Sequence, residues 1–373
     1  MSKLILKNGY LLDKSERLIR IKKDVLVEDG KIRLIAENIE DADAEVIDCE
    51  GKYVAPGFID MHTHIFGKAK ELGVTADRVG VLSGVTTVCD AGTAGPENFN
   101  DFIEQVIKPS KTRVYSCMHF SKQGLVVLPE ADDESKYDID LAQKVYEANS
   151  QYICAIKARA SNTTVGQLGI KPIQDAKKLS TRLNLPLYVH IGRPLPYIEE
   201  VLDTLTKGDV ITHSFHGKEI NWIVKDGKVK QEALDARSRG VFFDVGHGEA
   251  SFSFKTAKIC FPQGFLPDTV STDLHARNID GPVYSLTLTM DKMMALGISL
   301  EDVVEMVTAK PASIFKFSSL IGKLKVGYCA DFTIFDVEEG KYDYLDADKN
   351  ELSGTTKIVP YYAIVDGKVE FKK

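Results

Sequence analysis

The sequence predicts an α/β fold: a (β/α)8 barrel carrying a small β-sandwich built from both chain ends. Three observations carry the prediction. From Val54 onward, eight short apolar segments alternate with amphipathic stretches. Their ends lie about 23 to 38 residues apart, the size of one strand-plus-helix unit. The two termini read as strands punctuated by Asn8-Gly9, Asp29-Gly30 and Asp366-Gly367, dipeptides that favour hairpin turns. A doubly wound open sheet is the alternative, but neither GxGxxG nor GxxxxGK[ST] is present.

Residues 2–53 read as short strands: KLILKNGYLLD, RIKKDVLVEDGKIRLIAE and EVIDCEGKYV. The eight barrel segments follow, as VAPGFIDMHTH, TTVCDAG, RVYSCMHF, YICAIKARAS, LPLYVHIG, DVITHSFHG, GVFFDVGHG and DTVSTDLH. Between them PENFNDFIEQVIK, DLAQKVYEANS, PIQDAKKLSTRLN and PYIEEVLDTLTK carry helical periodicity. Two more helices follow the last strand, SLTLTMDKMMALG and SLEDVVEMVTAKPASIFKF, the second started by Ser299 with Asp302 in a capping-box pattern. The tail returns to strands in VGYCADFTIFDVE and KIVPYYAIVDGKVEFKK. The expected division is therefore a composite sandwich of 1–53 and 321–373 around a barrel of 54–320.

Composition narrows the function classes. A net charge of −7 without a basic cluster argues against a nucleic-acid partner. No apolar run approaches the ~18 residues of a membrane span, so no membrane partner is expected. Cys49, Cys89, Cys117, Cys154, Cys260 and Cys329 show no CxxC spacing, which fits reduced thiols and a cytoplasmic location.

The chemistry gathers at the strand ends. In a strand, residues i and i+2 share a face, so His62 and His64 project together as half of a metal site. Strands 4, 5, 6 and 8 end in Lys157, His190, His213 and Asp273. In a barrel these ends converge on one mouth. Four histidines with an aspartate and a lysine at that mouth point to metal binding. Lys157 is the unusual member, because a buried ammonium is costly and would repel metal ions. A neutral amine there reacts with carbon dioxide to give a carbamate, an anionic ligand with two oxygens. The plainer alternative is an ion pair between Lys157 and a carboxylate.

With these residues in view, the chain resembles the amidohydrolase superfamily over nearly its whole length. The likeness rests on PGFIDMHTH, the strand-4 lysine, the two later histidines, STDLH and the tail GKLKVGYCADFTIFD. It implies two divalent metal ions, zinc first among them, bridged by N6-carboxylated Lys157. His62, His64 and Asp273 would hold one ion, and His190 and His213 the other. Asp273 would also be the catalytic proton carrier in the hydrolysis of an amide, an ester or a cyclic amide.

The substrate is read from the rim. Arg159, two residues past Lys157, shares its face and suits a substrate carboxylate, or else pairs with a neighbouring acid. His247, in a Gly-His-Gly turn, either contacts substrate or shapes its loop. His216, His275 and Arg277 are read as structural or solvent-facing rim residues, and Cys89 as a core residue. Dihydroorotase-like relatives usually carry an arginine where this chain has Phe66. KARAS and DVGHGEASF most resemble dihydroorotase-like deacetylases acting on small acetylated hydroxy acids or N-acetyl amino acids. The expected partner is a small molecule bearing a carboxylate, and a homo-oligomer is compatible with this reading. The alternatives are an adenine-deaminase-like or dihydroorotase-like enzyme and a non-enzymatic relative, the last disfavoured because all six ligand positions are filled.

Overall fold

The computed structural model describes residues 3–373. Seven parallel strands form one sheet in chain order: β1 (Phe58–Thr63), β2 (Val85–Asp90), β3 (Arg113–His119), β4 (Ile153–Ala160), β5 (Leu187–Ile191), β6 (Val210–Thr212) and β7 (Phe242–Phe243). β1 and β2 are buried at every position, as parallel strands covered on both faces must be. The eighth segment departs from expectation. It forms no regular strand and touches its neighbours through single bridges, Thr269 with Asp244 and Leu274 with Thr63. Side chains divert two of its backbone donors, the Thr272 N–H to Asp60 Oδ1 and the Leu274 N–H to Thr272 Oγ1, and Asp273 takes a φ of +53° that no extended ladder accommodates. The two bridges nonetheless close the sheet into a ring.

The first predicted strand is two strands. Tyr53–Pro56 pairs with Phe332–Leu345 and Tyr10–Asp13 in a terminal sheet, and only Phe58–Thr63 enters the barrel. Gly57 stands at the crossing, where a Cβ would meet Thr86 Oγ1 at 2.1 Å.

Two sheets are formed from the termini. The four-stranded one runs Lys31–Ala36, Asp24–Glu28, Lys3–Lys7, Glu45–Asp48. The six-stranded one runs Lys368–Lys372, Glu351–Val365, Phe332–Leu345, Tyr53–Pro56, Tyr10–Asp13, Leu18–Lys22. Leu6, Val25, Leu11, Phe332 and Ile364 share one buried cluster between them. Asp29-Gly30 and Asp366-Gly367 make the expected two-residue hairpins, joining Glu28 to Lys31 and Val365 to Lys368. Asn8-Gly9 does not: the strands on either side of it belong to different sheets, so the turn is a corner between layers.

The outer helices fall where periodicity puts them, at Ile139–Asn149, Lys171–Arg182, Ile198–Thr204 and Leu286–Ala295. Ser299 caps Leu300–Met306 by accepting the Asp302 N–H. Among the described residues no helix is long and apolar enough to cross a membrane.

Candidate active site

A cavity of about 510 Å³ opens at the carboxyl ends of the barrel strands. His62, His64, Lys157, His190 and Asp273 line it, and His213 lies buried behind them. All six predicted ligand residues are thus brought together. His62 Nε2 and His64 Nε2 stand 3.3 and 3.0 Å from Asp273 Oδ1. Lys157 Nζ lies 3.3 Å from His62 Nε2. His213 Nε2 faces His190 Nδ1 at 2.8 Å and Asp273 Oδ2 at 3.9 Å. One ligand atom each from His62, His213 and Asp273 falls within 4.8 Å of the others.

The opposite ring nitrogens explain why these atoms face inward. His213 Nδ1 donates to the Gly246 carbonyl at 2.6 Å, which leaves Nε2 with a lone pair toward the cluster. His62 Nδ1 meets Thr212 Oγ1 at 3.1 Å. The Thr212 hydroxyl proton goes to Asp244 Oδ2 at 2.7 Å, so Thr212 accepts from His62, and His62 Nε2 is likewise free. Asp244 is fully buried and also accepts hydroxyls from Tyr188, Ser271 and Thr269. His64 Nδ1 is 2.8 Å from Thr93 Oγ1. Converging imidazole and carboxylate donors with their outer atoms already satisfied suit a divalent cation of borderline softness.

Electrostatics agree with that fit. Burial holds His62, His190 and His213 below the ordinary imidazole range, His213 at about 3, so these rings are neutral at pH 7. Burial acts to raise the Asp273 carboxyl, but positive charge placed on the adjoining His62, His64 and His213 lowers it well below the ordinary carboxylate range. Burial lowers the Lys157 amine to about 8, with its Nζ 4.3 Å from the centre of the Tyr188 ring and no ion-pair partner among the described residues. Gly92, at φ +82°, leaves room for the lysine stem, since a Cβ there would come 2.7 Å from Lys157 Cγ. His213 and Asp273 themselves hold left-handed backbone, at φ +65° and +53°, a strain that clusters at functional sites.

The remaining predicted residues divide. Arg159 lines the cavity, and its Nη1 is 3.4 Å from Glu130 Oε1, the neighbouring acid of the second reading. His275 and Arg277 line the cavity too, Arg277 half-exposed beside Glu249. His247 is fully buried, with Nε2 2.8 Å from Lys292 Nζ and Nδ1 3.0 Å from the Gly248 carbonyl oxygen, contacts that fit its loop-shaping reading. His216 is buried and accepts the Lys218 N–H. Cys89 packs in the barrel interior with Cys117 and Cys154, and Phe66 packs edge-on against Phe102. Sequence reasoning missed Glu130, Thr212, Thr93 and Asp244. Thr212 directly precedes His213, a usable signal; Glu130 sits in a Leu-Pro-Glu loop with none.

A parallel barrel with imidazole, carboxylate and amine donors at its carboxyl mouth defines a hydrolase of the metal-dependent barrel class. Two family models, each described as an amidohydrolase family, match residues 45–100 and 255–369. A deacetylase of Brucella anthropi is 38% identical over 92% of this chain and 86% of its own length. A deacetylase of Enterococcus faecalis is 36% identical over 98% of both chains. Among solved structures, one titled as an adenine deaminase superposes with a TM-score of 0.94 at 34% identity over the full length of both chains. Another, titled as a dihydroorotase, gives 0.90 at 32% identity over 99% of this chain and 97% of that one. The chain belongs to the amidohydrolase superfamily and is a hydrolase of that metal-dependent group.

Proposed function

We propose that this chain is a binuclear zinc-dependent deacetylase that cleaves small acetylated hydroxy acids or N-acetyl amino acids. The observation that carries the reading is the makeup of the mouth. Lys68, Lys70, Arg159 and Arg277 line it against one carboxylate, Glu71, above a floor of metal-ligand side chains. Such a mouth draws in an anionic substrate and presents its acyl group to the floor. The full-length deacetylase relatives support the same reaction.

His62, His64 and Asp273 would hold one ion and His190 and His213 the other. Lys157 would join them as a carbamate: its neutral amine forms an N–C bond to carbon dioxide and releases one proton. Bound there, the metals supply Lewis acidity, which lowers the pKa of water and draws electrons from the scissile carbonyl. Asp273, whose Oδ1 faces His62 and His64 while Oδ2 lies 3.9 Å from His213 Nε2, takes the proton of the attacking water and delivers it to the leaving oxygen or nitrogen. Arg159 binds the carboxylate and so fixes the acetyl group over the floor. The six free cysteines support a reducing compartment, and we place the enzyme in the cytoplasm.

The neighbours titled adenine deaminase and dihydroorotase give the second reading. Phe66, buried where dihydroorotase-like enzymes usually carry arginine, counts against pyrimidine ring opening. The test is a panel of acetylated 2-hydroxy acids, N-acetyl D- and L-amino acids, dihydroorotate and adenine against zinc-loaded enzyme. Acetate release is expected. Ammonia release from adenine, or turnover of dihydroorotate alone, refutes the deacetylase.

A further inference from the structure

Beside the metal-ligand cluster lies a second buried cluster that hydrolysis as described leaves unexplained. Glu130 follows Pro129 on the segment after β3. Its side chain is 1% exposed, and neither carboxylate oxygen has a hydrogen bond. Burying a carboxylate without partners is expensive, so its neighbours must justify the position. Two cationic or N–H groups face it. Arg159 Nη1 lies 3.4 Å and His119 Nε2 3.8 Å from Glu130 Oε1. His119 Nδ1 accepts the Ser121 backbone N–H at 3.1 Å, which puts the ring proton on Nε2, the nitrogen near Glu130.

Arg159 is the connection to the cavity. Its Nε is buried and has no partner, although the residue lines the catalytic cavity. A guanidinium is a rigid planar fork of five donors, so anchoring one terminal nitrogen fixes the plane of the rest. With Nη1 beside Glu130 and Nε buried, the donors left for the cavity are those of the terminal nitrogens. A carboxylate binds such donors through charge-assisted hydrogen bonds. The segment that carries Glu130 also supplies Leu125, Val126 and Leu128 to the cavity wall, so the Glu130–Arg159 contact ties that wall to the barrel.

We propose that Glu130 is a positioning residue for substrate recognition, holding the Arg159 guanidinium so that its terminal donors receive the substrate carboxylate. The proposal rests on the reading of this chain as a hydrolase of carboxylate-bearing acetyl compounds. Its test compares an acetylated 2-hydroxy acid with the methyl ester of the same acid, in wild type, Glu130→Gln, Arg159→Met and the double variant. Binding of the free 2-hydroxy acid, measured by calorimetry, adds a readout that needs no turnover. Glu130→Gln is expected to raise KM for the acid about tenfold, to weaken binding of the product acid similarly, and to leave kcat and the methyl ester within about twofold. In the Arg159→Met background it is expected to be silent. Equal effects on acid and ester, or effects that add in the double variant, overturn the proposal, because a merely structural glutamate behaves that way. If Glu130→Gln does not fold, Glu130→Asp keeps the charge, retracts it by one methylene and is judged by the same selective rise in KM. If Arg159→Met itself fails to separate acid from ester, the carboxylate reading falls. If Arg159→Met separates them and the Glu130 variants do not, only the positioning role falls. An enzyme that turns over neither compound refutes both.

Discussion

Thr212 offers the sharpest test of how the proposed metal-ligand cluster is assembled. Its hydroxyl does two things at once: it donates to Asp244 at 2.7 Å and accepts from His62 Nδ1 at 3.1 Å. Thr212→Val keeps the shape and removes both bonds. Losing the hydrogen bond to the buried Asp244 carboxylate costs about 1.5–3 kcal/mol of stability. Losing the acceptor for His62 Nδ1–H lets the ring proton move to Nε2, the nitrogen the proposed metal would need. Outer partners of ligand histidines carry roughly 10–100-fold in metal affinity, about 1.4–2.8 kcal/mol. Thr269→Val is the control, since it too donates to Asp244 at 2.7 Å and makes no contact with a ligand histidine. Both variants should lose comparable stability in urea titrations. Only Thr212→Val should lose zinc affinity, measured by competition with a chromophoric chelator. Equal zinc affinity in the two variants would refute the argument that Thr212 sets the His62 tautomer.

Three further outcomes follow from the same geometry. Lys157→Ala should lose zinc content and turnover together; retention of both at wild-type levels makes Lys157 a structural amine. Gly248→Ala should lower kcat by about 10–100-fold with KM little changed, because at φ +56° a Cβ would sit 2.6 Å from Asp273 Oδ2; unchanged kcat would mean that this turn does not define the carboxylate's place. Lys292 is buried against His247 and the Pro282 carbonyl, and burial lowers its amine to about 7 from 10.5. Between those values the unfolded chain holds a proton that the folded one does not, so this residue makes stability rise with pH, by up to about 1.4 kcal/mol per unit. Lys292→Met should flatten the slope of unfolding free energy between pH 7.5 and 9.5, and an unchanged slope would show that the amine keeps its proton when folded.

The sequence by itself determined the strand-and-helix alternation and the residues placed at the strand ends, because both depend on local periodicity. His62 and His64 share a face through a two-residue repeat, and Lys157 and Arg159 share theirs in the same way. Ser299 announces its cap and Asp29-Gly30 its hairpin through residues within a few positions of one another. The tertiary structure alone decided the rest. It split the first apolar run at Gly57, because Val54 and Ala55 pair with strands from the far end of the chain. It denied the eighth segment a ladder, because Asp60 of the first barrel strand takes the Thr272 backbone N–H. It turned His247 toward Lys292, and it set Glu130 beside Arg159 from a loop with no periodicity to read. Each of these contacts joins residues distant in sequence, and hydrogen-bond polarity and burial at such contacts exist only once the chain has closed on itself.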